Sequence, residues 1–409
     1  MRRVVITGMG AVTPIGNDID SFWNGLISGK NGIDRVTKFD ITGYKATLAA
    51  EVKDFDPTVA MEKTAIRKTD LYTQYALVAA TEAVEESGIC GTVDSDRVGV
   101  YVGSGIGGLN TLCEEHTNLK EKGERRVSPL FIPKMITNIA AGNIAIKYGF
   151  NGPCFCVTTA CATGTHCIGE AYRAIKHGYA DAMIAGGSEA TINPIAFAGF
   201  INCMALSTSD DKNSASIPFD ARRNGFIMGE GAGILVLEEH ERAVKRGAKI
   251  YGEIVGYGSS CDAYHVTAPD PDAKWVAKAI KDAMMEAGLE GETNVYVNTH
   301  GTSTPLNDKT ETAALKAVFG DGVKDIHMSS TKSMTGHMLG AAGAVEAIAA
   351  VLALSEGIIP PTIGYKEADP ECDINCTPNT AVKADIVASY STSLGFGGHN
   401  ACLAFKAVK

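Results

Sequence analysis

The order of elements around residue 161 is repeated around residue 326, and this repeat constrains the fold more than any other feature of the sequence. In "CFCVTTACATGTHCIGEAYRAIKHG", an apolar run is followed by a turn of small residues and then by an amphipathic helix. "IHMSSTKSMTGHMLGAAGAVEAIAAVLAL" has the same order, and "VGVYVGSGIGG" near residue 98 similarly resembles "VYVNTHGTSTP" near residue 295. We therefore expect two related halves, 1–250 and 251–409, which meet where "RGAKIYGEIVGYG" begins a new strand.

Short β-branched runs alternate with longer segments of helical periodicity along the chain. The runs read as buried strands and comprise "RVGVYVG" (97–103), "DAMIAGG" (181–187), "GILVLEE" (233–239) and "NVYVNTHG" (294–301). Segments 69–88 and 275–289 have helical spacing. This alternation predicts α/β layers with mostly buried central strands.

Composition and charge exclude several classes of protein. Hydrophobic residues make up 45% of the chain and charged residues 21%, as in ordinary globular proteins, and a net charge of −10 argues against nucleic-acid binding. "MRRVVITGMGAVTPIG" has no cleavage site and predicts a first strand rather than a signal peptide. The most apolar later segment, "AAGAVEAIAAVLAL", carries Glu346 and is too short to span a bilayer. We therefore expect a cytoplasmic protein without a membrane partner.

The eleven cysteines include no CxxC pair, and the close pairs Cys154/Cys156 and Cys372/Cys376 match no common zinc or iron–sulfur spacing. We expect no metal and mostly buried thiols in a reducing compartment. The string "GSGIGG" (103–108) fits a nucleotide-binding GxGxxG, but the segment after it is polar and lacks the expected acidic residue. A loop that rims a pocket is the better interpretation.

Cys161 lies among small residues at the predicted junction of a strand and a helix. An isolated cysteine beside a strand usually fills a core. At a helix N-terminus, however, the dipole and free N–H groups would lower the thiol pKa and favour the thiolate. The neighbouring Ala160, Ala162 and Gly164 would let a substrate carbonyl approach. Cys161 is thus a candidate nucleophile, although no G-x-C-x-G elbow motif is present.

Two histidines and one lysine lie in the matching loops of the second half. His300 follows a predicted strand in "NTHGTSTPLND", and His337 precedes a Gly/Ala-rich helix in "STKSMTGHMLGAAGA". Each histidine alone would more often be structural, but their shared placement favours catalysis. Lys332 comes directly after an apolar strand, which predicts a partly buried amine.

Four ordered motifs identify the chain as similar to a known family. "TTACATG", "NTHGTSTPLNDKTE", "STKSMTGHMLGAAGAVE" and "SLGFGGHNA" closely resemble the β-ketoacyl-acyl-carrier-protein synthases, and the elongating (synthase II) branch of type II fatty-acid synthesis most of all. The resemblance runs from the N-terminal "RRVVITGMGAVTPIG" to the end of the chain. It implies a thiolase-like five-layered αβαβα fold with two similar halves.

The resemblance also implies roles for individual residues. Cys161 would accept the acyl group, and His300 and His337 would support decarboxylation of malonyl-ACP in a Claisen condensation that yields 3-oxoacyl-ACP. Lys332 would be the active-site lysine and Glu346 a buried structural glutamate.

Other implied roles concern substrate binding. The N–H groups of Cys161 and Phe396 would form the oxyanion hole, with the Phe396 ring as a gate. Ile106 would line the acyl pocket at a homodimer interface, and Thr302 and Thr304 would bind the phosphopantetheine arm. That arm is carried by the substrate, so no cofactor is expected.

The implied partner, acyl carrier protein, is acidic, so docking requires local basic residues. Lys63, Arg67 and Lys68 fall at helical spacing, and a predicted loop carries Lys120, Lys122, Arg125 and Arg126. Such runs are usually solvated surface, but they could focus a docking site on an acidic body. The chain departs from the family at Met204, where a carrier-binding arginine is common, and at His399, where threonine is common.

Three alternatives have different signatures. A polyketide ketosynthase would share the site and differ in acyl-chain preference. A degradative thiolase would use a second cysteine where this chain has "GFGGHN". A non-catalytic partner subunit would lack the nucleophile, and the presence of Cys161 with both histidines argues against it.

Overall fold

The computed structural model describes residues 1–408. The strands are β1 (Val4–Val12), β2 (Asp34–Arg35), β3 (Leu48–Ala49), β4 (Val98–Gly103), β5 (Cys154–Phe155), β6 (Ala182–Glu189), β7 (Gly231–Glu239), β8 (Gly252–Cys261), β9 (Val295–Asn298), β10 (His327–Ser329), β11 (Ile358–Ile359), β12 (Val382–Lys383), β13 (Ala388–Gly395) and β14 (His399–Lys406). The α-helices are α1 (Ile19–Ile27), α2 (Lys63–Ile66), α3 (Leu71–Ser87), α4 (Leu109–Lys122), α5 (Phe131–Met135), α6 (Ile139–Tyr148), α7 (Thr163–Lys176), α8 (Pro194–Asn202), α9 (His240–Lys245), α10 (Lys274–Ala287), α11 (Pro305–Phe319), α12 (Lys332–Thr335) and α13 (Ala342–Glu356). The predicted strands and helices are confirmed to within three residues at their ends.

The two halves of the chain have the same sheet topology. Strands of the first half are ordered β1-β7-β6-β4-β5, and those of the second half are ordered β8-β14-β13-β9-β10. In both halves each neighbouring pair among the first three strands is antiparallel. The last three strands in each order run parallel to one another. β1 and β8 pair antiparallel along Val4–Ile6 and join the halves into one ten-stranded sheet. The prediction of two similar halves is confirmed.

Helices cover both faces of each half-sheet. α3 and α6 pack on the outer face of the first half, and α10 packs with α11 on the outer face of the second half. α7 and α13 contact each other and strands of both halves, so they form a shared central layer. The resulting order of layers is αβαβα, as predicted from the resemblance.

Close approaches between strand and helix are also repeated. A Cβ atom at Gly8 or Gly10 of β1 would lie 2.2 or 1.9 Å from a carbonyl oxygen of α3. At Gly256 and Gly258 of β8 the corresponding distances to carbonyl oxygens of α10 are 2.1 and 1.8 Å. Each half therefore needs a Gly-x-Gly on its first strand, because any side chain there would push the outer helix away from the sheet.

The apolar segment that contains Glu346 is longer than the sequence indicated. Among residues 1–408, the one stretch that is long and apolar enough to span a membrane is Leu339–Glu356. However, 89% of it is buried inside the protein, where α13 lies between the two halves. Its apolar character is explained by the central layer of the fold.

Replacement of Gly10 by alanine tests this packing. The new Cβ would overlap the Ala79 carbonyl, so the thermal midpoint should fall and the free energy of unfolding should decrease by about 1–3 kcal/mol or more. Gly199→Ala is the matched control, because nothing lies within 4 Å of a Cβ at that exposed helical position. Thermal unfolding of both variants checks this; a Gly10→Ala protein as stable as Gly199→Ala would contradict it.

Candidate active site

Cys161 lies on a sharp turn between β5 and α7. Residues Ala160–Ala162 form a single 3₁₀ turn, and α7 begins at Thr163, two residues later than the predicted start. Ala160 adopts a left-handed conformation with φ +50°, which costs a non-glycine residue about 1 kcal/mol. In the second half, Leu339 has φ +48° and opens the equivalent turn before α13. The turn is therefore part of the repeated fold, and Cys161 occupies the position that Gly340 has in the other half.

A cavity of about 350 Å³ collects most of the residues predicted to act in catalysis or substrate binding. Its lining includes Cys161, His300, Thr302, Thr304, His337 and Phe396, contributed by both halves of the chain. Its volume is within the range of small-molecule sites. The structure thus brings together the candidate nucleophile, both histidines, both threonines and the candidate gate.

Lys332 holds His300 in a defined tautomer. The lysine is buried, at 1% exposure, rather than partly buried as predicted, and it forms a salt bridge with Glu346 inside the protein. Its Nζ also lies 3.3 Å from Nδ1 of His300. An ammonium group only donates, so Nδ1 accepts and the ring proton of the neutral imidazole resides on Nε2. His300 can therefore offer an N–H to the cavity.

His337 is the second buried imidazole of the cavity. Its ring lies edge-on to that of His300, with centroids 5.2 Å apart, and edge-on to Phe226 at 5.1 Å. Its main chain is fixed by hydrogen bonds to Ile227 and Gly229. Burial and the positive charge of Lys332 hold the pKa of both histidines well below the usual 6.5. Both rings are neutral at physiological pH.

The expectation that the helix N-terminus makes Cys161 a resting thiolate is wrong. Burial raises the pKa of Cys161 to about 12, whereas Lys332 and the backbone N–H of Phe396 act in the opposite direction. Desolvation of the sulfur by burial has a larger effect on the pKa than the groups that favour the thiolate. Cys161 is therefore a neutral thiol at physiological pH.

Phe396 lies at the tip of the hairpin between β13 and β14. Gly397 and Gly398 have φ angles of +91° and +78°, and the Gly397 N–H donates to Val266, which ties the tip to a neighbouring loop. Gly395 serves a different purpose: a Cβ there would lie 3.3 Å from the Cys161 nitrogen and 2.6 Å from the Thr159 oxygen. The hairpin tip therefore adjoins the turn that carries Cys161, and the Phe396 N–H lies beside the Cys161 sulfur.

Comparison with known proteins identifies the family. The model of the β-ketoacyl synthase N-terminal domain matches residues 1–243, and that of the C-terminal domain matches residues 251–366. The chain belongs to the β-ketoacyl synthase family.

Curated relatives and solved structures cover this synthase along nearly its whole length. A Staphylococcus aureus protein and a Synechocystis protein, both named 3-oxoacyl-[acyl-carrier-protein] synthase 2, are 50% and 48% identical over 99% of this chain and 98% of their own length. The ishigamide ketosynthase/chain length factor structure has a TM-score of 0.93 at 36% identity. A type II PKS ketosynthase in complex with its acyl-carrier protein and bound to a hexaketide has the same TM-score at 34% identity. Both structures cover all of this chain and match over their full length. The synthase is an acyltransferase of the condensing class.

Two carboxylates on α11 position the His300 loop of the synthase, and sequence reasoning assigned them no role. Glu311 accepts hydrogen bonds from the backbone N–H groups of His300 and Gly301, each at 2.7 Å. Asp308 accepts from the N–H of Ser303 at 3.2 Å and of Phe219 at 2.9 Å. The available signal was an acidic pair at i, i+3 on a helix face that is otherwise buried.

The "GSGIGG" loop is occupied by the protein's own carboxylate. Glu189, at the end of β6, accepts from the Ser104 hydroxyl at 2.8 Å and from the N–H groups of Gly105 and Ile106 at 2.9 and 3.3 Å. A loop whose N–H groups bind a buried glutamate cannot cradle a phosphate, which agrees with the rejection of a nucleotide site. Ile106 lies outside the cavity lining and is 37% exposed.

The predicted docking residues are exposed but differ in local structure from the prediction. Lys63 lies in the one-turn helix α2, which ends at Ile66, and Arg67 and Lys68 follow it rather than continuing a helix. In the second group, Lys120 and Lys122 belong to the last turn of α4, and Arg125 and Arg126 to the 3₁₀ turn after it. The expected loop is therefore a helix end. The synthase presents both groups to solvent.

The neutral state of the two imidazoles is testable by histidine-selective NMR. Because their pKa values are held well below 6.5, the His300 and His337 ring signals should not shift between pH 8 and pH 6. An ordinary histidine, with a pKa of about 6.5, would become about three-quarters protonated over that range. Assignment uses the His300→Asn and His337→Asn variants. A titration midpoint above pH 6 for either ring would contradict the burial argument.

Proposed function

We propose that this synthase elongates acyl groups on acyl carrier protein by decarboxylative condensation with malonyl-ACP, as in type II fatty-acid synthesis. The observation that carries the proposal is the shared cavity, which is lined by the Cys161 thiol and by the two neutral imidazoles of His300 and His337. The names of the two curated relatives, at about half identity over nearly the full length, support this substrate class.

The first half-reaction moves the acyl group to Cys161. The sulfur attacks the thioester carbonyl, and the oxyanion accepts hydrogen bonds from the N–H groups of Cys161 and Phe396. The bond to the phosphopantetheine sulfur then breaks, and the proton lost by Cys161 ends on that departing thiol. A thiol suits this step because it both attacks and leaves as a thioester.

The second half-reaction forms the carbon–carbon bond. Loss of carbon dioxide from malonyl-ACP leaves an enolate, whose oxygen accepts from the Nε2–H of His300 and from an N–H of His337. The enolate carbon attacks the thioester on Cys161, the carbon–sulfur bond breaks, and the freed sulfur regains a proton. Neutral imidazoles suit this step because they donate without needing to be protonated first. Lys332, held by Glu346, fixes the His300 tautomer.

Substrate delivery requires no resident cofactor in this proposal. The carrier protein would bring the phosphopantetheine arm past Thr302 and Thr304, whose hydroxyls lie 2.9 Å apart on the cavity wall. The exposed basic groups, Lys63, Arg67 and Lys68 on one side and Arg125 and Arg126 on the other, would attract its acidic surface. A solved relative is bound to its acyl-carrier protein, which supports this partner. Met204 is 88% exposed on the cavity rim and offers an apolar contact where the family often has arginine.

The synthase is proposed to act as a cytoplasmic homodimer joined at β5. This strand is at the end of the ten-stranded sheet, so its outer backbone groups are unpaired in the described chain. Phe155, an apolar residue of the strand itself, is 45% exposed. A second copy would cover this surface and Ile106, which would then line the acyl pocket from the interface.

Cys161 variants test the two half-reactions. Cys161→Ala should abolish condensation, because it removes the thiol that lies beside the Phe396 N–H and would hold the acyl group, whereas the other thiol of the lining, Cys203, is exposed. Cys161→Gln should still release carbon dioxide from malonyl-ACP without accepting an acyl group, since its amide imitates the acylated state. Radiolabelled transfer assays with acyl-ACPs of graded length measure both and separate a fatty-acid enzyme from a polyketide ketosynthase. Full condensation by Cys161→Ala would refute the assignment.

Phe396→Ala tests the gate. If the ring blocks malonyl-ACP until an acyl chain displaces it, its removal should raise decarboxylation without primer relative to condensation. A ring that merely covers the core would instead lower thermal stability and leave that ratio unchanged. The ratio of carbon dioxide to 3-oxoacyl product, measured with and without acyl-ACP, distinguishes these outcomes.

A further inference from the structure

The open edge of the sheet carries two thiols. β5 pairs with β4 on one side only, in the register Val100 with Cys154 and Tyr101 with Phe155. The Val100 N–H donates to the carbonyl of Pro153 at 2.9 Å, so in this parallel ladder Pro153 and Phe155 direct their hydrogen-bonding groups towards β4. The backbone N–H and C=O groups of the intervening Cys154 point away from β4. Because strands alternate every two residues, the backbone groups of Cys156 point the same way.

This alternation restricts how two copies can pair across the edge. In an antiparallel pair related by a two-fold axis, outward-facing residues lie opposite outward-facing residues. An axis at Cys154 sets Cys154 opposite its own copy, and an axis at Cys156 does the same for Cys156. An axis at Phe155 sets Cys154 of each copy opposite Cys156 of the other. Every symmetric register centred on these three residues therefore places cysteine opposite cysteine.

The Cα spacing of such pairs lies in the range of disulfides, and a small shift of the two strands brings the Cβ atoms from about 5.5 Å to the roughly 3.5–4.5 Å that the bond needs. Directly opposite, hydrogen-bonded residues of an antiparallel pair have Cα atoms about 5.5 Å apart. Disulfides bridge Cα atoms about 4.4–6.8 Å apart. Cys154 is exposed in the single chain and Cys156 is half-buried, so neither thiol is enclosed in a core.

We propose that the β5 edge carries an intersubunit thiol pair, in which Cys154 or Cys156 of one copy forms a reversible disulfide with a cysteine of the other when a peroxide is present. A peroxide oxidises one thiolate to a sulfenic acid and is itself reduced to water. The facing thiol then attacks that sulfur, a second water leaves, and the intersubunit S–S bond forms. Two thiols lose two protons and two electrons in total, which the peroxide accepts. In a reducing compartment the thiols stay reduced until such an oxidant is present.

The bond would join the two copies next to both active sites. Only Val157–Ala160 separate Cys156 from the nucleophile Cys161, and the Thr158 hydroxyl in this segment donates to the Ser104 carbonyl at 3.2 Å. This inference rests on the homodimer of the proposed function and adds the thiol chemistry of its interface.

The experiment uses the full chain in the Cys161→Ala background, so that the nucleophile cannot contribute to the product. Brief treatment with hydrogen peroxide should produce a covalent dimer on a non-reducing gel, and dithiothreitol should reverse it. Cys154→Ser with Cys156→Ser should abolish the band, whereas Cys203→Ser and Cys261→Ser, which remove exposed thiols elsewhere, should retain it. The two single variants identify the register.

Size-exclusion chromatography under reducing conditions separates the possible failures. A dimer that gives no covalent product, or whose product survives loss of both β5 cysteines, overturns the thiol pair and leaves the homodimer standing. A monomer overturns both the interface and the thiol pair, while the condensation assays on the wild-type chain still report independently on the proposed reaction.

Discussion

The close contact between α7 and α13 is the constraint on which the site depends. A Cβ at Gly164 would lie 2.7 Å from the Ala344 nitrogen, and one at Gly343 would lie 2.0 Å from the Thr165 hydroxyl. Only glycine permits this separation, because interiors at native density have no room for a further methyl group. The contact brings the start of both central helices together, with Cys161 before one helix and Glu346 within the other. A reactive centre therefore arises where the two halves of the chain meet.

Buried carboxylates hold the loops around this centre. An ionised carboxylate away from water is costly unless its oxygens accept hydrogen bonds or pair with a cation. Glu189 and Glu311 meet this condition mostly with backbone N–H groups, so each carboxylate fixes the path of a loop. Glu189 also accepts from Gly340 at 3.0 Å and thereby links loops of the two halves. These two carboxylates thus hold loops in both halves of the chain in place.

The electrostatics of the cavity favour neutral reactive groups. Burial disfavours charge on the thiol and on both imidazoles, while Lys332 forms a buried salt bridge with Glu346. One cation behind His300 therefore selects a tautomer, opposes protonation of both rings and favours negative charge on sulfur as it develops. One buried lysine has these three effects because electrostatic interactions are strong where the surrounding dielectric is low.

Several features of this protein follow from sequence alone. Hydrophobic period and glycine placement are local properties, and they predicted the strands, the long helices and the two related halves. The motifs also indicated Cys161, His300, His337 and Lys332, since each lies at a strand or helix end that the pattern reveals.

Other features were decided only by the tertiary structure. The pKa of Cys161 depends on apolar walls contributed by distant segments. The hydrogen bonds from the His300 loop to Glu311 form only because α11 folds back on the loop before it. The full burial of Lys332 and the open edge at β5 likewise depend on which elements become neighbours. Burial, dielectric and pairing are properties of several segments in contact, so no single stretch of sequence determines them.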